Sequence, residues 1–153
     1  MLSAGVAMKY YTEIELDLSC KRVIEIFDNP DNMQHWMQGL ISFEHESGER
    51  GYPGAVSKFV FKRGSGEIVI KETIEVRDEL KEFTGIYTTD GVWNRSQNLF
   101  TELGPEKTLW RQNNEFRCEG LMMKFMTTFL PFMFTRESKS QMKSFKAFAE
   151  GLG

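Results

Sequence analysis

This sequence has little cysteine and no excess of basic charge. Its 153 residues include two cysteines, Cys20 and Cys118, which are too few for a disulfide framework. We therefore expect a reduced, cytoplasmic protein. The formal net charge is −3, with acidic and basic residues mixed along the chain. Because nucleic-acid binding needs a basic face that neutralises phosphates, we do not expect nucleic acid as a partner.

Long apolar runs are also missing. The most apolar stretch, residues 121–134, is interrupted by Lys124, Thr127 and Pro131 and is shorter than the roughly 20 residues of a membrane-spanning helix. We expect no integral membrane segment. Residues 1–7 lack the basic start and long apolar core of a signal peptide, so we interpret them as an N-terminal extension. Residues 8–150 are enough for one substantial core, which predicts a single domain there.

Common catalytic and metal-binding motifs are missing as well. The sequence has no His-Glu-x-x-His, no Cys-x-x-Cys pair, no nucleophile elbow and no phosphate-binding loop. The two histidines, His35 and His45, belong to a residue type that titrates near neutral pH, but structural roles for them are commoner than catalysis or metal binding. We predict no metal site and no bound cofactor.

Alternation of apolar and polar residues dominates the middle of the chain. It predicts seven strands, because successive side chains of a strand point to opposite faces. The predicted strands cover residues 10–18, 40–46, 55–62, 67–77, 82–89, 93–103 and 107–118. Turn residues such as Asp90-Gly91 and Gly104-Pro105 separate the later strands, which predicts an antiparallel meander. Between the first two strands, Ser19 is a candidate N-cap for one short helix, and residues 31–37 predict a second.

The C-terminal segment, residues 120–150, predicts a long helix rich in methionine and phenylalanine, with a kink at Pro131. The apolar stripe that we expect to face the sheet consists of Met122, Phe125, Met126, Phe129 and Met133. Leu130 and Phe134 lie partly off this stripe. We expect them to be exposed, where they would suit a homodimer contact or a transient membrane contact.

The order of these elements resembles the helix-grip fold of the START-like superfamily, which includes the birch-pollen-allergen proteins and the polyketide cyclase/dehydrase (SRPBCC) and lipid-transport families. The resemblance spans residues 8–150. It is carried by Phe27-Asp28-Asn29-Pro30 followed by Met33 and Trp36, by the Leu-Gly-Pro-Glu-Lys-Thr-Leu-Trp hairpin at 103–110, and by the helix that begins at Gly120. The resemblance implies an α+β fold in which a curved antiparallel sheet of about seven strands grips the C-terminal helix, with a ligand cavity between them.

The fourth predicted strand carries an acidic residue on its apolar face. Glu72 shares that face with Ile68, Ile70, Ile74 and Val76, so we expect its carboxyl group to point inward. A buried carboxyl group needs a hydrogen-bonding partner or a raised pKa. Two interpretations stay open: Glu72 pairs with an inward arginine or lies near the sheet edge, or it is a polar anchor or a general acid/base in the cavity.

Amide side chains follow in the last two strands. In the seventh, Gln112 and Asn114 share a face with Trp110, which predicts that both amides are interior. They would suit a mainly apolar ligand with a few polar atoms, or they bond to each other or to buried water. In the sixth strand, the sequence does not decide whether the face of Asn98 points inward, since a slip of one residue reverses every side chain.

We hypothesise that the chain binds or transports a small hydrophobic ligand, such as a lipid, a quinone or a polyketide, between the sheet and the C-terminal helix. The predicted lining residues are Trp36, Phe59, Phe61, Ile70, Glu72, Phe83, Tyr87, Asn98, Trp110, Gln112, Asn114, Met122, Phe125, Met126, Phe129 and Met133. One alternative is an enzyme of the cyclase/dehydratase or isomerase type, in which Glu72 is the general acid/base. Another is a protein-interaction module with a vestigial pocket.

Overall fold

The computed structural model describes residues 8–78, 81–120 and 131–152. The strands in these ranges are β1 (Met8–Leu16), β2 (Leu40–Ser47), β3 (Val56–Arg63), β4 (Gly66–Asp78), β5 (Glu82–Thr89), β6 (Val92–Gly104) and β7 (Lys107–Cys118). The helices are α1 (Cys20–Asp28), α2 (Met33–Trp36) and α3 (Pro131–Leu152), and a 3₁₀ turn at Pro30–Asn32 precedes α2.

The strands form one antiparallel sheet in the order β1-β7-β6-β5-β4-β3-β2. From β2 to β7 each strand pairs with the next one along the chain, as expected for a meander. The first strand, β1, pairs with β7 and forms one edge of the sheet, and β2 forms the other edge. The sheet, the two short helices after β1 and the long C-terminal helix confirm the predicted helix-grip class.

The strand whose register the sequence left open is β6. The structure buries Asn98 and Phe100, which are 3% and 5% exposed, whereas the neighbouring Gln97 and Leu99 are less buried. The ring of Phe100 lies 5.2 Å from that of Phe27 of α1, centroid to centroid. The even-numbered residues of β6 therefore share the face that packs against α1.

Two element boundaries differ from the predictions. The first strand ends at Leu16 rather than at residue 18, because the chain must leave the sheet for Ser19, whose hydroxyl accepts a hydrogen bond from the Arg22 amide and caps α1. The helix expected over residues 31–37 is shorter. Pro30 and the Asn29 side chain, which accepts from the Asp31 amide, begin a 3₁₀ turn, and α2 follows for a single turn.

The described part of the C-terminal helix is α3. The predicted helix start at 120 and the kink at Pro131 involve residues 121–130, which lie outside the described residues. The same holds for Leu130, whereas Phe134 is half-buried and its ring lies 4.7 Å from that of Phe116 of β7. The expectation that Phe134 is exposed is wrong, since this aromatic contact turns it toward the sheet.

The core lies where α1 and α3 pack on β1, β6 and β7. Its fully buried members include Leu16, Val23, Ile26, Trp110, Met142 and Phe145. The Phe27 ring joins them through edge contacts with Trp110 at 5.5 Å and Phe145 at 5.8 Å. Offset and edge-on packing of this kind is the favoured geometry for aromatic rings.

Polar contacts fix α3 along the outer edge of β1. The ammonium groups of Lys139 and Lys146 donate to the backbone carbonyls of Glu13 and Glu15 on β1. The Tyr10 and Ser138 hydroxyls are 2.9 Å apart. Because an unpaired strand edge invites non-native pairing, these contacts also protect the edge. Among the described residues, no helix is both long and apolar enough to cross a membrane.

Candidate functional site

A cavity of about 90 Å³ lies between the β2–β5 half of the sheet and the α1–α2 region. Its walls are largely aromatic and aliphatic, with a few charged and polar groups. The lining residues are Phe27, Asp28, Pro30, Met33, Trp36, Met37, Phe43, His45, Arg50, Gly51, Ser57, Glu72, Ile74, Arg77, Phe83 and Tyr87. A concave apolar site with a small number of polar groups is the usual form of a small-molecule site.

Strand register places four polar side chains in one row across the cavity side of the sheet. His45 of β2 pairs with Ser57 of β3, Ser57 pairs with Glu72 of β4, and Glu72 pairs with Tyr87 of β5. All four residues line the cavity. Directly opposed residues of an antiparallel pair share a face, so the register alone brings these groups together.

Glu72 is the buried acid of this row, with 5% of its surface exposed. The Tyr87 hydroxyl donates a hydrogen bond of 2.7 Å to its Oε2 atom. Burial raises the pKa of Glu72 to about 7, although the Tyr87 hydrogen bond opposes this shift. Burial and the neighbouring carboxyl group together raise the pKa of Tyr87 well above its ordinary value. Tyrosine rather than arginine is thus the hydrogen-bond partner of Glu72, and β4 lies inside the sheet rather than at its edge.

Arg77 forms one wall of the cavity. Its guanidinium group pairs with the Asp28 carboxylate at the end of α1, and its Nη1 donates to the Gly51 carbonyl at 2.6 Å. Gly51 has a φ of 80°, and an added Cβ would collide with Nη1. A glycine is therefore needed both for the backbone conformation and for the close approach of Arg77. These contacts join α1, β4 and the loop between β2 and β3.

Trp36 closes the cavity from α2. Only 6% of its surface is exposed, and its ring packs against Phe27 at 5.7 Å and Phe145 at 5.1 Å. Its indole N–H is buried and has no hydrogen-bond partner among the described residues. Since most buried donors in folded proteins are satisfied, this N–H is an unsatisfied donor on a residue that lines the cavity.

The structure brings four of the predicted site residues to the cavity: Trp36, Glu72, Phe83 and Tyr87. Phe59, Phe61 and Ile70 lie next to it rather than on it. The Phe59 ring is 6.4 Å from that of Tyr87 and 5.9 Å from that of Phe61, and Ile70 pairs with Phe59. Trp110 belongs to the core, where its ring lies 5.3 Å from that of Phe145.

The predicted amides form a closed ladder away from the cavity. Asn98 Oδ1 accepts hydrogen bonds from Trp110 Nε1 and Gln112 Nε2, both at 2.9 Å. Gln112 Oε1 in turn accepts from Asn114 Nδ2 at 2.9 Å, and Asn114 Oδ1 accepts from Asn94 at 3.2 Å. Of the two interpretations that the sequence left open, the structure supports the one in which these amides bond to each other.

The remaining predicted site residues lie in the C-terminal segment. Met122, Phe125, Met126 and Phe129 are outside the described residues, and so is the side chain of Met133.

Sequence reasoning did not select several residues that line the cavity: Phe27, Asp28, Phe43, Ser57, Ile74 and Arg77. A signal existed for Ser57, which shares the apolar face of its strand with Phe59. Arg77 could not be found from alternation, which assigns it to the outer face. A register shift between Ile74 and Val76 inserts one residue, so Arg77 pairs with the inward-facing Phe83.

Comparisons with known proteins bear on the fold. No family model and no curated protein matches the sequence. The structure is similar to the Zhui aromatase/cyclase from Streptomyces sp. R1128, with a TM-score of 0.79 and 12% identity over 95% of this chain and 94% of that one. It is also similar to Ara h 8.0201, with a TM-score of 0.77 and 12% identity over 95% and 99% of the two chains.

A third similar structure is norcoclaurine synthase from Thalictrum flavum in complex with dopamine and hydroxybenzaldehyde. Its TM-score is 0.72 at 15% identity, over 95% of this chain and 88% of that one. At such low identity, these similarities establish the fold alone. The chain has the START-like helix-grip fold, and a fold by itself does not assign a function.

Proposed function

We propose that this chain is a cytoplasmic protein that binds a small, mainly apolar ligand in the cavity between the sheet and the α1–α2 region. The observation that carries the proposal is Glu72, a carboxyl group buried in an aromatic cavity with a tyrosine hydroxyl as its hydrogen-bond partner. Burying a carboxyl group without a cationic partner costs stability. Such costs are found mostly at functional sites.

The size of the cavity limits the ligand. Drug-sized ligands occupy sites of roughly 300–1,000 Å³. At about 90 Å³, the cavity bounded by the described residues takes a very small molecule or one end of a larger one. Met33 and Met37 contribute to its α2 side. Because methionine side chains are unbranched and flexible, they adapt to ligands of different shape.

The first test is native mass spectrometry of freshly purified protein, followed by organic extraction and identification of any released molecule. We expect a stoichiometric apolar ligand, and its loss in the variant Met33→Trp, whose larger side chain fills the cavity. Gln34→Trp is the matched control, since Gln34 is exposed on the same helix and does not line the cavity. A ligand retained equally by both variants would place its site elsewhere.

An enzyme is the second candidate function, and the pKa of Glu72 favours it. A carboxyl group with a pKa of about 7 can both take up and release a proton at physiological pH, as general acid/base catalysis requires. The test is to incubate the extracted molecule with protein and follow it by mass spectrometry. Conversion that Glu72→Gln abolishes while binding persists would support catalysis. If the protein leaves the molecule unchanged, the result would support binding without catalysis.

A further inference from the structure

The proposed function leaves open which chemical group of the ligand enters the cavity. We propose that the cavity selects neutral ligands with a carbonyl oxygen, which accepts hydrogen bonds from the carboxylic acid of Glu72 and the indole N–H of Trp36. The inference rests on the proposed function, because it names the class of ligand for the same cavity.

Trp36 supplies the first donor. Its residue is more than nine-tenths buried, it lines the cavity, and its N–H has no partner among the described residues. The contrast with Trp110 is informative, since the N–H of that equally buried indole donates to Asn98. An indole N–H can only donate, so the ligand atom that satisfies Trp36 must be an acceptor.

Glu72 supplies the second donor. The Tyr87 hydroxyl donates to Oε2, which leaves Oε1 to carry the acid proton. Burial favours this neutral acid form over the carboxylate, because the apolar walls solvate a charge poorly. A protonated carboxyl group donates one hydrogen bond. Glu72 and Trp36 therefore each carry a donor for a ligand, and a carbonyl oxygen, with two lone pairs, can accept from both.

Charges around Glu72 oppose the obvious alternative, a ligand with an ammonium group. The described charged residues on the lining are Asp28, Arg50 and Arg77, and Asp28 is already paired with Arg77. His45 and Tyr87 are the other titratable groups that face Glu72 from β2 and β5. With Glu72 neutral, the formal charge of the lining is positive, which disfavours a cationic ligand.

Three probes that share a phenyl ring and a methyl-bearing α-carbon test the proposal: acetophenone, α-methylstyrene, in which a CH₂ group replaces the carbonyl oxygen, and 1-phenylethylamine. Dissociation constants come from NMR titrations of the wild-type protein at pH 5.5 and 8.5. At pH 5.5 we expect acetophenone to bind about tenfold more tightly than α-methylstyrene, the effect of one or two net hydrogen bonds. At pH 8.5 the preference should fall to about threefold, because the ionised Glu72 no longer donates and only the Trp36 indole N–H remains as a donor.

Two substitutions at Glu72 distinguish the effect of its hydrogen-bond donor from the effect of its negative charge. Glu72→Gln retains an N–H donor without a titrating group, so its preference for acetophenone should be equal at the two pH values. Glu72→Leu should lower the preference to about threefold at both pH values, because the Trp36 indole N–H remains. His45→Gln should preserve the pH dependence, which excludes the one other residue of a type that titrates in this range among the described lining residues. Trp36→Phe should reduce the preference for acetophenone over α-methylstyrene about threefold at pH 5.5.

Equal binding of acetophenone and α-methylstyrene would overturn this inference and leave the proposed function standing. Tighter binding of 1-phenylethylamine at pH 8.5 would also overturn it and identify Glu72 as a carboxylate site for amines. Binding of none of the three probes, together with no co-purified ligand, would contradict the proposed function itself.

Discussion

The two halves of the sheet treat buried polar groups in opposite ways. On β6 and β7 the amides of Asn98, Gln112 and Asn114 bond to one another and to the Trp110 indole, beneath a closely packed core. On β4 and β5 the carboxyl group of Glu72 has a tyrosine partner and faces a cavity. The first arrangement is complete without a ligand. The second holds donors for which a ligand would provide the acceptor.

This contrast teaches that burial of a polar residue is not in itself a sign of function. The sequence pattern marked Gln112, Asn114 and Glu72 in the same way, as polar residues on an apolar face. The structure separates them by their surroundings: Gln112 and Asn114 bond to other amides, whereas Glu72 bonds to Tyr87 through one oxygen and lines a cavity. A satisfied network stabilises and specifies a fold, whereas an unsatisfied group has a cost that binding can offset.

The largest expected effect lies in the core half. Phe145→Ala removes a fully buried ring that contacts Phe27, Trp36 and Trp110. We expect the free energy of unfolding to fall by about 3–5 kcal/mol, from lost burial and the cavity that remains. Urea denaturation measures it. Lys143→Ala, on an exposed position of the same helix, should change the value by less than about 0.5 kcal/mol.

The cavity half should show a smaller effect that depends on pH. Because the pKa of Glu72 is raised from 4.5 to about 7, the folded state binds more protons than the unfolded state between these values. The free energy of unfolding should therefore fall as pH rises through this window, by about 3 kcal/mol in total. Glu72→Gln removes this dependence.

Urea denaturation of wild type and Glu72→Gln at several pH values between 4 and 8 measures the difference. We expect the variant to gain stability relative to wild type as pH rises, and the gain to level off above pH 7. A difference that does not vary with pH would show that Glu72 titrates alike in the folded and unfolded states.

The amide ladder should respond to Asn98→Ala with a loss of about 2 kcal/mol, because the buried N–H of Trp110 and the amide of Gln112 lose their acceptor. Thermal and urea unfolding measure the loss. Asn113→Ala is the control on the opposite face of β7, where the amide bonds to the partly exposed Gln97. Equal losses in the two variants would mean that the ladder is not energetically distinct.

The smallest effect is expected at the cavity wall. Gly51→Ala forces Arg77 to move and breaks its hydrogen bond to the Gly51 carbonyl, in addition to straining the backbone. Gly54→Ala introduces similar strain at a φ of 92° but meets no neighbouring atom. We expect Gly51→Ala to be the less stable variant by about 1 kcal/mol in urea unfolding. If the two variants have the same free energy of unfolding, the hydrogen bond from Arg77 to the Gly51 carbonyl adds nothing to stability.

Most of the fold could be predicted from the sequence, because alternation and turn residues are local signals. The ranges 82–89 and 107–118 match β5 and β7 at both ends. Burial of Glu72 followed from the same alternation. The position of Arg77 could not be predicted, because the register shift near Ile74 depends on pairing with β5 rather than on the residues themselves.

The hydrogen-bond partners of the buried polar groups could not be predicted from the sequence either. The pairing of Tyr87 with Glu72 requires the register of two strands, and the ladder of Asn98 with Gln112 requires the register of two others. A polar residue can be assigned to a face from its own strand alone. Whether its hydrogen bonds are made within the protein depends on strands and helices far away in the chain.

The most direct measurement is a ¹³C NMR titration of the Glu72 carboxyl group, without ligand and with saturating acetophenone. The account predicts a pKa near 7 in the free protein and a higher pKa in the complex, because a ligand that prefers the acid form must raise the pKa by linkage. A Glu72 that titrates in the ordinary range of glutamate, or whose pKa is unchanged or lowered by acetophenone, would contradict it.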